Sequence, residues 1–185
     1  MLYSLLARLK QTMTTTEITR GTVRRARVTD AAEIQALITT FADRDEMLHR
    51  ALGEIYENIR DFYVAEENGR ILGCGALHVC WSHLAEVKSL AVDEACQGRG
   101  YGRMIVEACV AEALELGLKS LFALTYQPEF FRRLGFRVVD KATLPHKVWN
   151  ECIRCPKFLA CGEVAVVRDL GPAPSRSPVE LPVLG

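Results

Sequence analysis

Residues 86–102 read EVKSLAVDEACQGRGYG, and the fold turns on them. The stretch opens as a strand that ends at Val92-Asp93. A short loop carries Gln97-Gly98-Arg99-Gly100-Tyr101-Gly102, and an amphipathic helical run over 99–116 follows, closed by Gly117. Three glycines at alternate positions clear side chains from the point where a strand hands over to a helix. Backbone N–H groups can converge there, and the helix dipole favours an anion, above all a phosphate or pyrophosphate. Arg99 and Arg103 add positive charge at the same place. A P-loop would need Gly-x4-Gly-Lys-Ser/Thr, which the chain lacks. A dinucleotide fingerprint would need Gly-x-Gly-x-x-Gly after a first strand, whereas this spacing is Gly98-x-Gly100-x-Gly102 in mid-chain. On spacing alone, a plain glycine-rich turn stays open beside an anion site.

Working outward, 23–28 reads as a strand, and Thr29-Asp30 offers a helix cap before AAEIQALITTF. There Ile34, Leu37, Ile38 and Phe41 fall at helical spacing. A second helix is predicted over 48–58. Strands at 61–66 and 70–79 are joined by Glu67-Asn68-Gly69, a strong hairpin signal, and 85–92 is the next strand. Downstream come a strand at 121–126, a short helix at 128–134 between Pro128 and Gly135, and strands at 136–139 and 164–168. The order β-α-α-β-β-β-α-β-α-β-β predicts an α/β or α+β domain on a single mixed sheet.

At 185 residues, with 49% hydrophobic and 25% charged, the chain suits one domain with tails. Residues 1–20 read as an N-terminal extension: a short helix, a frayed end, or an upstream start with Met13 as initiator. Residues 171–185 hold four of the seven prolines and read as a disordered tail, leaving 21–170 as the working domain. Lys plus Arg is 23 and Asp plus Glu is 23, so no broad positive field points to nucleic acid. No apolar run reaches the ~18–20 residues of a membrane span. Seven cysteines, an odd count without a secretory signal, suit free thiols in a reducing cytoplasm. His146, Cys152, Cys155 and Cys161 are zinc-ligand types, but one Cys-x-x-Cys pair with two scattered singles is a weak pattern, and no metal is expected. Cys96 sits beside the glycine loop, where oxidation or alkylation would bear on an anion site. His78 and His83 flank Trp81, and either is an alternate base, although a lone His near an apolar strand is more often structural.

Gln97-Gly98-Arg99-Gly100-Tyr101-Gly102 resembles the Gln/Arg-x-x-Gly-x-Gly/Ala signature of the GNAT N-acetyltransferase superfamily. FALTYQPEFFRRLGF, downstream, resembles its second motif. Over about residues 22–170 the pattern is most similar to the acetyltransferase domain of short bacterial N-acetylglutamate synthases. VRRARVTDAAEIQALI, AEVKSLAV and LPHKVWNECIRCPKF carry that likeness. The resemblance implies a GNAT fold with splayed parallel strands, and an acetyl-CoA site. Pyrophosphate would lie on the amides of Gln97, Gly98, Arg99, Gly100, Tyr101, Gly102 and Arg103. Pantetheine would run beside Leu90, Ala91 and Val92 as an added strand. It also implies an oxyanion donor at the Leu90 N–H and a base at Glu86. The family's usual acid, a Tyr, is replaced by Phe131, which is expected to line the cofactor site.

The implied acceptor is L-glutamate, at the first step of arginine biosynthesis. Two carboxylates need cations, and Arg24, Lys88 and Arg154 are the expected ones, with Lys157 nearby. Another amino acid such as glutamine, another small amine, or a non-catalytic acetyl-CoA sensor stays open, as does a homodimer. Cationic Arg24 and Lys88 argue against polyamine or aminoglycoside acceptors.

Overall fold

The computed structural model describes residues 21–145 and 161–171. Seven strands form one sheet in the order β1-β2-β3-β4-β5-β7-β6. Strands β1 (Thr22–Arg25), β2 (Phe62–Glu67), β3 (Arg70–Trp81) and β4 (Leu84–Val92) pair antiparallel in sequence. Strand β5 (Ser120–Thr125) runs parallel to β4. Strand β7 (Val164–Asp169) inserts antiparallel between β5 and β6 (Arg137–Val139). The expected single mixed sheet is therefore present.

Hydrophobic faces place the helices. Helix α3 (Tyr101–Glu115) buries Ile105, Val106, Cys109, Val110 and Ala113 against Leu72, Leu77, Val87 and Leu121 on one face of the sheet. The short α4 (Pro128–Arg132) adds Phe131 to that cluster. On the other face, α1 (Ala31–Ala42) sets Ile34, Ile38 and Phe41 against Val64, Cys74, Ala76 and Ala91, and α2 (Leu52–Glu57) adds Ile55. A smaller cluster of Leu84, Phe122, Leu144, Ala165 and Val167 lies in the β4-β5-β7 half.

Local chemistry sets the boundaries. In the β2–β3 turn, Asn68 and Gly69 stand at φ 53° and 76°, the left-handed pair that a tight hairpin needs. Helix α2 starts at Leu52 rather than at 48. The Glu54 carboxylate reaches back to accept from the Ala51 N–H at 3.0 Å, which fixes the entry of the chain there. The cap reading of Asp30 is corrected. Its side chain makes no cap bond to α1; it accepts instead from the Arg27 N–H at 2.7 Å and from Arg24, in a 3-10 turn over Val28–Asp30. Among the described residues no helix is long and apolar enough to cross a membrane. The expected extension, tail, zinc-type residues His146, Cys152 and Cys155, and the candidates Arg154 and Lys157 lie outside the described residues.

Strand β4 is irregular on both of its edges. Its pairing with β5 covers only Leu84–Ser120, Ala85–Leu121 and Glu86–Phe122, and beyond those rungs no ladder joins the two strands. Against β3, Lys88 faces Ala76 and Ala91 faces Cys74, so Ser89 and Leu90 together stand opposite Gly75. This is a β-bulge, with Ser89 at φ 52°. Gly75 is required there, because a Cβ would sit 2.7 Å from Ile105 Cγ2 and 3.1 Å from Leu90 Cδ1.

Candidate active site

The fork between β4 and β5 opens a cleft of about 1100 Å³. Phe41, Met47, Leu48 and Arg50 line it from the α1 side, and Gly102, Phe130 and Phe131 from the α3–α4 side. It passes between the strands where the ladder stops. Glu86, the last β4 residue paired on both sides, stands at the apex of the fork and lines the cleft with Lys88, Leu90, Ala91 and Val92.

The glycine loop forms one end. Asp93 ties it to the sheet: its N–H donates to the Leu72 carbonyl at 2.8 Å, and its Oδ1 accepts from the Ala95 N–H at 2.9 Å. Gln97 Nε2 donates to the Val92 carbonyl at 3.3 Å. Gly98 and Gly100 stand at φ 74° and 93°, so the chain turns into α3 through conformations that only glycine adopts without strain. No side chain caps α3, and its first turn carries no acid. The amide N–H groups of its first turn lack carbonyl partners within the helix, and Gly98, Gly100, Tyr101, Gly102 and Arg103 all line the cleft. A Cβ on Gly102 would lie 3.3 Å from Phe130 Cζ, so the missing side chain keeps a narrow passage between α3 and α4. These features suit an anion held by main-chain donors.

The two arginines of the loop part company. Arg103 lines the cleft and donates from Nε to Glu107 Oε1 at 2.7 Å. Arg99 does not line it. The Arg99 guanidinium donates to both carboxylate oxygens of Glu67, at 2.7 and 2.8 Å, and lies 5.1 Å over the Tyr101 ring. Charge on this turn is thus spent on anchoring it to the end of β2.

Arg24 is a second correction. It lies outside the cleft, on edge strand β1, where Nη1 donates to Asp30 Oδ2 at 2.6 Å and Nε to Glu66 Oε2 at 2.7 Å. A guanidinium held by two carboxylates has little left for a substrate. Lys88 does enter the cleft, on the same strand face as Glu86. Sequence reading missed Arg50 and Lys141, which also line it. Arg50 was hidden in the predicted second helix, and Lys141 belongs to a 3-10 turn over Lys141–Thr143 without a periodic signal. Lys141 Nζ donates to the Cys161 carbonyl at 3.3 Å and lies 3.4 Å from Cys161 Sγ.

Phe131 lines the cleft, 4% exposed, edge-on to Phe130 at 5.1 Å and Phe136 at 5.2 Å. Cys96 lines the cleft, with Arg99 Nη1 3.8 Å from its sulfur. His78 does not line the cleft; its Nδ1 lies 2.8 Å from Asp61 Oδ2.

The family model described as an acetyltransferase (GNAT) domain matches residues 58–138, which span β2 to β6. An uncharacterised N-acetyltransferase of Chlorobaculum tepidum is 40% identical over 148 residues, 80% of this chain and 96% of that protein. An amino-acid acetyltransferase of Mycobacterium tuberculosis is 40% identical over 138 residues, 73% of this chain and 79% of that protein. Among solved structures, the N-acetylglutamate synthase of Neisseria gonorrhoeae, complexed with coenzyme A and N-acetyl-glutamate, superposes with a TM-score of 0.75 at 27% identity. The match covers 82% of this chain and 35% of that longer one.

Proposed function

The chain belongs to the GNAT acetyltransferase family, and from that premise we propose that it moves the acetyl group of acetyl-CoA to the α-amino group of L-glutamate. The observation that carries this reading is the shape of one cleft. The uncapped start of α3 and a candidate base, Glu86, line the same space, and the bulged, unladdered edge of β4 runs between them.

The α3 amides and Arg103 hold the pyrophosphate. The pantetheine amides bond to the β4 edge that β5 leaves vacant beyond Glu86, as a strand would. The bulge at Ser89 and Leu90 interrupts the regular β3–β4 register, and in this reading its main-chain N–H groups donate to the thioester carbonyl, where oxyanion charge develops. The thioester is already activated, so the remaining work is to deprotonate an ammonium and set it ~3–3.5 Å from the carbonyl carbon. Glu86 takes that proton. Lys88, with Arg50 and Lys141 from the opposite walls, supplies the positive charge that two substrate carboxylates require. Such a reaction opens arginine biosynthesis. The coenzyme A and N-acetyl-glutamate bound by the Neisseria gonorrhoeae enzyme support this acceptor.

The test is a thiol-release assay with acetyl-CoA against the twenty amino acids, spermidine and kanamycin. Turnover with glutamate that falls ~10²-fold or more in Glu86→Gln, and a raised glutamate KM in Lys88→Ala, are the expected results. Turnover confined to another amine would keep the acetyl-CoA site and reject glutamate. Tight acetyl-CoA binding without turnover would favour a sensor.

A further inference from the structure

We propose that His78, held by Asp61, is the proton exit of Glu86, carrying the acceptor's proton out of the cleft to solvent along the shared face of the β3–β4 pair. The proposal rests on the reading of Glu86 as the base. His78 and Glu86 are direct cross-strand partners in the β3–β4 ladder, next to the pairs Leu77–Val87 and Val79–Ala85. Direct partners in an antiparallel pair share one face, with Cβ atoms roughly 4.5–5.5 Å apart. At that spacing one water is enough to join an imidazole to a carboxylate.

The two residues differ in their surroundings. Glu86 lines the cleft, whereas His78 does not, and its side chain is 36% exposed. A base that keeps its proton cannot serve the next turnover, so a route out that bypasses the cleft has a function. Asp61, in the 3-10 turn Ile59–Asp61 that leads into β2, accepts from His78 Nδ1 at 2.8 Å. That bond fixes the tautomer with Nδ1 protonated and leaves Nε2 as the acceptor.

The ammonium N–H breaks as an O–H forms on Glu86, and the freed amine attacks the thioester carbon; the C–S bond breaks, and the second proton on nitrogen goes to the departing coenzyme A thiolate. The Glu86 O–H then breaks as Nε2–H forms, giving an imidazolium beside the Asp61 carboxylate. The imidazolium releases its proton to solvent water, and both residues return to their starting forms. The charged groups around this path are Asp61 from the turn and, from β4, Glu86 and Lys88, the latter facing Ala76 one pair further along the same face. His78 touches no substrate. It is a positioning residue that acts through Glu86.

The test compares His78→Gln, Asp61→Asn and Glu86→Gln in the full chain, with acetyl-CoA and whichever amino acid gives turnover in the acceptor screen. His78→Gln is expected to lower kcat about 10- to 100-fold with the KM for acetyl-CoA unchanged, less than the ~10²–10⁴-fold of a group that takes the substrate proton itself. Added imidazole restores part of the loss, and the shape of the kcat–pH profile changes. Asp61→Asn is expected to alter the profile with a smaller loss, and it decides the matter if circular dichroism shows His78→Gln unfolded. Wild-type kcat and pH profile in His78→Gln, with Glu86→Gln collapsed, would overturn the relay and leave the base. Loss without imidazole rescue and with an unchanged profile would mean a structural role and would also overturn it. Wild-type kcat in Glu86→Gln would remove the base reading and the relay together.

Discussion

Arg24 and Asp30 form a two-pronged ion pair, with Nη1 donating to Oδ2 at 2.6 Å and Nη2 to Oδ1 at 3.2 Å. Asp30 is the buried charged residue of the described chain, 7% exposed. Its carboxylate accepts from Arg24 and from the Arg27 N–H, and so joins β1 to the start of α1. Arg24→Ala is expected to cost about 1–3 kcal/mol, since it leaves a buried carboxylate short of donors. Urea unfolding reads this directly. Glutamate KM is expected to stay within ~2-fold of wild type, because Arg24 lies outside the cleft.

The same pair sets an acid limit. The Arg24 hydrogen bond, opposed by burial and helped by the Arg27 N–H, holds the Asp30 carboxyl below its ordinary value. A group whose folded pKa is depressed binds its proton more readily when unfolded. Its stabilising contribution is full above the ordinary carboxylate range and is lost as pH falls through the lowered folded value. Unfolding free energies from pH 7 down to the acid range should converge for wild type and Asp30→Asn.

At the glycine loop, Gly102→Asp is expected to raise the KM for acetyl-CoA at least ~10-fold with little change in unfolding midpoint. It places a carboxylate where the α3 dipole and free amides favour an anion from outside, and it narrows the gap to Phe130. Arg103→Ala is expected to raise that KM about 3- to 10-fold, less than a full charge-assisted hydrogen bond because Glu107 shares the guanidinium. Arg99→Ala should raise it less, because its guanidinium is bound to Glu67. Steady-state kinetics on the three variants checks the order.

Gly75→Ala tests the bulge. Its Cβ would meet Ile105 Cγ2 at 2.7 Å, between the bulged strand and α3. Overpacking of this kind costs about 1–3 kcal/mol. A kcat loss larger than the fall in stability explains would tie the bulge to catalysis.

Burial pushes the thiols of Cys74 and Cys109 up to about 12. At pH 8 neither carries thiolate in the folded protein. Native maleimide labelling read by mass spectrometry should modify the half-buried Cys80 and Cys161 while leaving Cys74 and Cys109 unlabelled until urea is added.

Much of the fold was legible because it is local. Gly98, Gly100 and Gly102 announce a strand-to-helix turn that needs no distant partner, and Asn68-Gly69 announces its own hairpin. Glu86 and Lys88 share a face by the period of two alone. Arg24 was misread because its partner Glu66 is 42 residues away, and nothing in a single strand reveals which carboxylates surround an arginine. Arg50 and Lys141 escaped for a related reason: irregular backbone carries them to the cleft. Glu54 was equally silent until its bond to the Ala51 N–H showed why α2 begins late.

Among the described residues the ladder between β1–β4 and β5-β7-β6 has three rungs, Leu84–Ser120, Ala85–Leu121 and Glu86–Phe122. That seam is the sheet's mechanical weak line, and the candidate base sits on its final stitch. Lengthening the ladder would stiffen the molecule and zip the cleft shut in the same motion. Selection for a sturdier sheet and selection for a working one therefore pull against each other at Glu86. Robustness has to be found elsewhere, in helix α3, whose core cluster joins Leu72, Leu77 and Val87 of one half to Leu121 and Val166 of the other.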